Sequence, residues 1–339
     1  MWTQALRREA AATPALGLRF DTLYLGGGTP SLLAGPAVAQ VRNLVSGRFA
    51  LEVGEFTLEA NPDAGSIGLL PGWREAGVSR LSVGVQSFDD GVLSTLGRTY
   101  SADEAVRFCR SARAAGFDIL AVDLMIGVPG ETDGAVGRSL DRAIELGPDH
   151  VSVYFLENVE GLPFANILAR RPVDEDAAVD HFETAKARLE AAGLRRYEIS
   201  NFAKPGRECR HNLKYWRYEP YMGLGPSACS HVGLRRWCRE AGLEKWAEAA
   251  GPDGGAAEKD VLELTPEAAA SEALVFGLRL VEGVDLADIG ARIGVDVAAR
   301  YAGKIDELAA EGLLVRAGSR VRIPSDKLLV SNAILSRLI

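Results

Sequence analysis

Short apolar runs alternate with helical patterns over the first two hundred residues. Strands are predicted at 21–26, 55–61, 80–86, 117–126, 150–156 and 195–200, where apolar, β-branched and aromatic residues crowd together. Between them lie helical stretches: 35–49, one ending at Gly77, one from Ser101 to Gly116, 133–146 and 176–192. Ser101 and Glu104 form an S-x-x-E capping box that opens the third of these. Strands separated by single helices call for parallel βαβ units, hence a barrel or a doubly wound sheet. A leading helix around 2–11 precedes the first strand instead of following one. That order favours an incomplete (β/α) barrel and the expectation that an earlier strand and its loop lie outside this sequence.

Past residue 200 the pattern breaks. Residues 201–260 are rich in Gly, Pro, Trp and Tyr, and the Gly-Pro-Asp-Gly-Gly stretch at 251–255 reads as a linker or loop. Helical patterns return at Thr265, with Pro266 at the first helical position, and 313–323 reads as a hairpin turning at 317–319. The expected organisation is a partial barrel over 1–202, an irregular extension over 203–260 and a small helical, winged-helix-like domain over 261–339.

Polar residues sit where the strands end. Gly26-Gly27-Gly28-Thr29-Pro30-Ser31 follows the first strand, Glu59 and Gln86 close the second and third, and Asp123 lies within the fourth. Polar groups in strands covered on both faces are costly unless paired or used. In a βα barrel the C-terminal strand ends converge on one mouth, where ligands bind. The glycines let a backbone bend sharply and approach a ligand closely. An amino-acid-plus-nucleoside ligand suits such a rim: backbone groups receive an ammonium, Arg98 clamps a carboxylate, and carboxylates bond ribose hydroxyls. Plainer readings stand beside these: a tight turn for the glycines, a surface residue for Glu59, a cap or ion-pair partner for Asp123. Gln86 has its backbone-bonding reading and Arg98 its solvated one.

Charge and cysteines narrow the classes. The chain of 339 residues carries 38 basic and 46 acidic residues, net −8, and 47% of it is hydrophobic. That balance argues against a protein built on phosphate contacts, so no nucleic-acid partner is expected. No run approaches the roughly 18 apolar residues of a bilayer span and no signal-peptide pattern opens the chain, which gives a cytoplasmic reading without a transmembrane segment. Cys109, Cys209, Cys229 and Cys238 form no CxxC or CxxxC pair, and a cytoplasmic setting disfavours disulfides. Cys109 shares a helical face with Ala105 and Ala112 and reads as a small core residue.

The segments GGGTPS, LEANPD, RLSVGVQSFDD, LGRTYS and VDLMIGVPGET, in that order, resemble the S-adenosylmethionine (SAM)-binding half of the radical SAM proteins of the oxygen-independent coproporphyrinogen oxidase and HemW group. The resemblance runs from about residue 20 to the C-terminus. It implies SAM contacts from Gly27, Gly28 and Thr29 at the methionine end and from Glu59, Gln86, Arg98 and Asp123, with Glu157 near the adenine. A later block, His211-Asn212-Leu213-Lys214-Tyr215-Trp216, is similar to the HNxxYW signature of the HemW branch. The resemblance implies His211 as the haem-iron ligand, with Asn212, Tyr215 and Trp216 completing the haem site. Neutral imidazole is a common haem ligand, and flat aromatics suit a macrocycle. His211 also has a reading as a loop-orienting histidine, and Tyr215 and Trp216 as core anchors; His150, His181 and His231 read as structural or surface residues.

The family's radical chemistry rests on a CxxxCxxC loop holding a 4Fe–4S cluster, and the cysteines of this chain fall elsewhere. Radical catalysis by the chain as written is therefore doubtful. The leading expectation is a haem chaperone that binds SAM and haem and delivers haem to acceptor proteins, respiratory haemoproteins among them. Two rivals stand beside it: an oxygen-independent coproporphyrinogen III oxidase, and a non-catalytic SAM- or haem-binding protein.

Overall fold

A computed structural model describes residues 1–157, 172–250 and 258–339. The strands β1 (Arg19–Leu25), β2 (Ala50–Ala60), β3 (Arg80–Gln86), β4 (Ile119–Ile126) and β5 (His150–Phe155) lie side by side in chain order. Each runs parallel to its neighbour, because the chain returns through a helix before the next strand begins. The expected partial barrel is present as a curled parallel sheet.

Alternation within the strands decides what each face touches. Phe56, Leu58, Leu81, Val83, Leu120, Val122, Val151 and Val153 are fully buried. They pack with Val38, Trp73, Phe108, Leu140, Phe182 and Leu189 of the covering helices in one apolar core. Cys109 is buried in that core, as its helical face requires. The alternate positions are polar: Thr22 and Tyr24, Glu55, Thr57 and Glu59, Arg80, Ser82 and Gln86, Asp123, His150 and Ser152. The sheet thus turns a hydrophobic surface to its helices and a hydrogen-bonding surface to its hollow side.

The capping box closes as expected. The Ser101 hydroxyl accepts from the Glu104 N–H, and the Glu104 carboxylate accepts from the Ser101 N–H. A sixth parallel strand at 195–200 does not form. Only Arg195–Arg196 (β6) is extended, and Asn201–Ala203 (β7) then pairs antiparallel with both β5 and β6. The reason is local. The Arg196 guanidinium donates to the carbonyls of Glu198 and Ile199, and the Tyr197 N–H bonds the Asn201 carbonyl, so 197–200 folds into a turn. No helix separates β6 from β7, so the chain returns in the opposite direction.

Residues 203–260 are more regular than expected. They hold a short helix (Arg210–Trp216), a second one (Leu243–Ala249) and an antiparallel sheet of β8 (Cys229–Val232), β9 (Arg235–Arg239) and β10 (Glu258–Glu263). Cys229 and Cys238 face each other directly across the β8–β9 hairpin and are joined by a disulfide, against the expectation of four free thiols. Pairing follows from strand register, which spacing along the chain does not reveal. The linker expected at 251–255 lies outside the described residues.

The leading helix, α1 (Trp2–Ala12), is tied to this extension by a buried ion pair. The carboxylate of Glu9 lies 2.7 Å from Arg239 Nε, with 1% and 2% of the two side chains exposed. It also accepts from the Gly225 N–H and the Trp246 indole N–H. The C-terminal residues form their own core around Leu274, Ile289, Ile305 and Val321. Thr265 caps the helix that Pro266 begins, and Val315–Ala317 pairs with Arg320–Arg322 as a hairpin, both as expected.

Candidate functional site

The hollow side of the sheet gathers most of the residues expected to bind SAM. Gly27, at φ +83°, is in the left-handed region, where only glycine is unstrained. Its N–H donates to Glu59 Oε2 at 3.1 Å, and the Tyr24 hydroxyl donates to Glu59 Oε1 at 2.7 Å. A Cβ on Gly26 would stand 2.8 Å from the Glu59 carboxylate, so the turn closes on Glu59 only because Gly26 has no side chain. Gly28 and Thr29 continue the turn into solvent.

Glu59 pairs in register with Ser82, and the Ser82 hydroxyl donates to Asp123 Oδ2 at 3.0 Å. The Ser152 hydroxyl donates to Asp123 Oδ1 at 2.6 Å. Burial pushes the Asp123 carboxyl up to about 6; the two serines oppose the rise and the Glu59 charge adds to it. Asp123 and Glu59 therefore share one electrostatic environment across three strands.

Gln86 ends β3 with φ +65°, a costly conformation for a residue bearing a side chain. Its amide folds back over Gly84, where a Cβ would stand 2.9 Å from Gln86 Nε2. The Tyr100 hydroxyl donates to the Gly84 carbonyl and so anchors the loop carrying Arg98 to the end of β3. Arg98 Nε is shielded from solvent and has no hydrogen-bond partner among the described residues.

The HNxxYW residues lie on the helix Arg210–Trp216, and buried Glu55 seats it. The Glu55 carboxylate accepts from the N–H groups of Arg210 and His211 and from the Cys209 thiol. His211 Nδ1 lies 2.9 Å from Thr22 Oγ1, and its Nε2 lies 2.9 Å from the Tyr215 hydroxyl. The ring stacks on Tyr24, with centroids 4.9 Å apart and planes at 24°. Burial first, then the Lys214 charge, pushes the imidazole down to about 4, so it is neutral at physiological pH.

This helix stands between two cavities. The first, of about 370 Å³, is lined by Tyr24, Gly26, Gly27, His211 and Tyr215. The second, of about 740 Å³, is lined by Tyr154, Glu157, Asn212, Tyr215 and Trp216. Tyr215 borders both. His211 thus stands with the glycine turn, while Glu157 stands with Asn212 and Trp216. His150, His181 and His231 are buried, and each is hydrogen-bonded within the chain.

Several residues that build the site were not singled out by sequence: Thr22, Tyr24, Glu55, Ser82, Tyr100 and Ser152. For all but Tyr100, which lies in the loop before the Ala102–Ala114 helix, the signal was present as the every-second-residue polar positions of the strands. A metal cluster finds no ligand set here. Cys109 and Cys209 are buried in separate places and Cys229 is bonded to Cys238. Among the described residues no three His, Cys, Asp or Glu side chains converge to hold a metal ion.

Comparison with known proteins agrees with this fold. The Radical SAM superfamily model matches residues 2–143, and the HemN C-terminal domain model matches residues 264–326. The structure is similar to that of the coproporphyrinogen III oxidase HemN of Escherichia coli, a radical SAM enzyme. The TM-score is 0.85 at 22% identity, covering 99% of this chain and 82% of that one, a likeness of fold. The heme chaperone HemW of Mycobacterium tuberculosis is 36% identical over 345 residues, covering 100% of this chain and 86% of its own. That of Bacillus subtilis is 31% identical, covering 98% and 89%. The chain belongs to the heme chaperone HemW family.

Proposed function

We propose that this chain takes up haem on the HNxxYW helix, binds SAM on the adjoining polar face, and passes haem to acceptor proteins. The carrying observation is the position of Tyr24. Its ring stacks on His211 and its hydroxyl bonds Glu59, so the two expected ligand sets share one wall. Gly27, Gly28 and Thr29 would receive the methionine end of SAM, Arg98 its carboxylate, and Glu59, Gln86 and Asp123 its polar edges, with Glu157 toward the adenine. His211 supplies neutral imidazole toward haem iron, once Tyr215 yields Nε2, and Trp216 and Asn212 border the neighbouring cavity. The 4Fe–4S cluster implied by the family has no fitting ligand set among these residues, and no step of this function runs through it.

The partition 1–202, 203–260 and 261–339 fits the division of labour: SAM face, haem helix and a C-terminal domain that closes the second cavity. No helix among the described residues is long and apolar enough to cross a membrane. The test is titration of the full chain with haem, followed by the Soret band. His211→Ala should weaken haem binding and leave SAM affinity unchanged. Protonation of His211 should take no share in any change of wild-type affinity between pH 8 and pH 5, since the imidazole stays neutral down to about 4. Superimposable haem curves for the two proteins remove His211 as ligand.

A further inference from the structure

The second cavity has a wall that the HNxxYW motif does not account for. Phe276 and Arg279, from the C-terminal domain, close it opposite Trp216 and Tyr215. The Arg279 guanidinium lies 5.9 Å from the Trp216 ring centroid, and the Phe276 ring stands 6.4 Å from the same indole. Arg279 donates to Asn332 Oδ1 at 3.0 Å, while its Nε is shielded from solvent without a hydrogen-bond partner. No carboxylate among the described residues pairs with it.

The other charged groups of the cavity are already committed. Arg236 is held by Glu272, which also accepts from the Tyr218 hydroxyl. Burial pushes Glu198 up to about 7, against the backbone N–H groups of Ser200, Asn201 and Ile199, so its negative charge is weakened. Glu157 is exposed. What remains is one half-buried cation with no carboxylate partner among the described residues, at the edge of an aromatic-walled space. A guanidinium in that position binds a carboxylate by charge-assisted hydrogen bonds, and the rings bind a flat apolar body. The volume of about 740 Å³ lies within the usual range of small-molecule sites.

We infer that Arg279 seats a carboxylate of a flat, ring-shaped ligand lying against Trp216 and Phe276, which for a haem-carrying chain is a propionate of the porphyrin. This rests on the haem reading above and adds to it a binding residue from outside the HNxxYW helix. The C-terminal domain then contributes directly to holding the cargo.

The test uses the full chain, haem and haem dimethyl ester, whose propionates carry no charge, in absorbance titrations. Wild-type protein should bind haem about tenfold more tightly than the ester, the size expected of one charge-assisted contact. Arg279→Gln should lose about that factor for haem and nothing for the ester, and Arg279→Lys should recover part of it. Wild-type protein that binds both ligands equally overturns the carboxylate seat while leaving haem binding standing, and this comparison needs no variant to fold. Equal losses for both ligands in Arg279→Gln overturn it too. Wild-type protein that binds neither overturns the haem reading and the seat with it.

Discussion

Asp123→Asn separates what the site gives up in stability from what it gains in function. The variant keeps the shape: one amide atom still accepts from a serine hydroxyl, and the other donates to the second serine in place of accepting from it. What it removes is a carboxylate whose folded-state pKa, about 6, lies above the usual 3.8 because burial disfavours its charge. A carboxylate raised in this way contributes most to stability below pH 4, where it is neutral folded or unfolded. That contribution drains away as pH rises through the folded value, since ionising it costs more in the folded chain. A rise of about two pH units corresponds to about 3 kcal/mol as a ceiling. Residual water contact at this half-buried residue and the altered serine pairing reduce it to about 1–2 kcal/mol. Urea unfolding of both proteins at pH 4, 5, 6 and 8 should therefore show Asp123→Asn gaining on wild type between pH 4 and 6 and holding its lead above. A gap that does not change with pH, or a variant that falls behind at pH 8, would refute the assignment of the rise to burial of Asp123.

Two further outcomes follow from the supports of the site. Glu9→Ala removes one buried partner of Arg239 and strips the Gly225 and Trp246 donors of an acceptor, so it should cost about 2 kcal/mol or more of unfolding free energy by urea denaturation; a cost under about 0.5 kcal/mol would mean that α1 is held by its apolar contacts alone. Glu55→Ala should loosen the helix that carries His211 and lower haem affinity severalfold in Soret titration, with partial recovery in Glu55→Gln, whose amide oxygen can still accept from the His211 N–H while its NH2 cannot accept from the Arg210 N–H; no difference between the two substitutions would show that the carboxylate does not position His211.

Much of this was legible because strand ends and helix caps obey local rules. Glu59, Gln86 and Asp123 stood out as polar groups interrupting buried strands, and Gly27 as a turn that only glycine closes. Ser101 and Glu104 announced their helix by spacing alone. The turn at 197–200 was illegible because the residue that makes it, Arg196, looks like an ordinary surface charge and acts through its own backbone neighbours. The Cys229–Cys238 pair was hidden because register across a hairpin is not written in the spacing of the two cysteines. Ser82, Ser152 and Glu55 escaped notice for a different cause. A parallel sheet covered on both faces is expected to be apolar throughout, and this one has helices on one face and a hydrogen-bonded hollow on the other.

The helix geometry carries the final consequence. His211 and Tyr215 are four residues apart and share one face; Asn212 and Trp216 share another, about 100° around the axis. A single ligand lying flat on Trp216 therefore does not meet the His211 ring directly, and Tyr215 is the group between them. Its hydroxyl holds His211 Nε2 while its ring borders both cavities. On the proposed haem reading, a haem seated on the Trp216 side would reach the imidazole only when Tyr215 turned aside, and that movement would uncover the Nε2 proposed for the iron. Under that proposal the tyrosine of HNxxYW would act as a latch on the histidine, and Tyr24, stacked beneath that histidine and bonded to Glu59, would carry the consequence to the proposed SAM face. Linkage makes such an effect reciprocal: whatever SAM does to haem affinity through this wall, haem does to SAM affinity by the same factor.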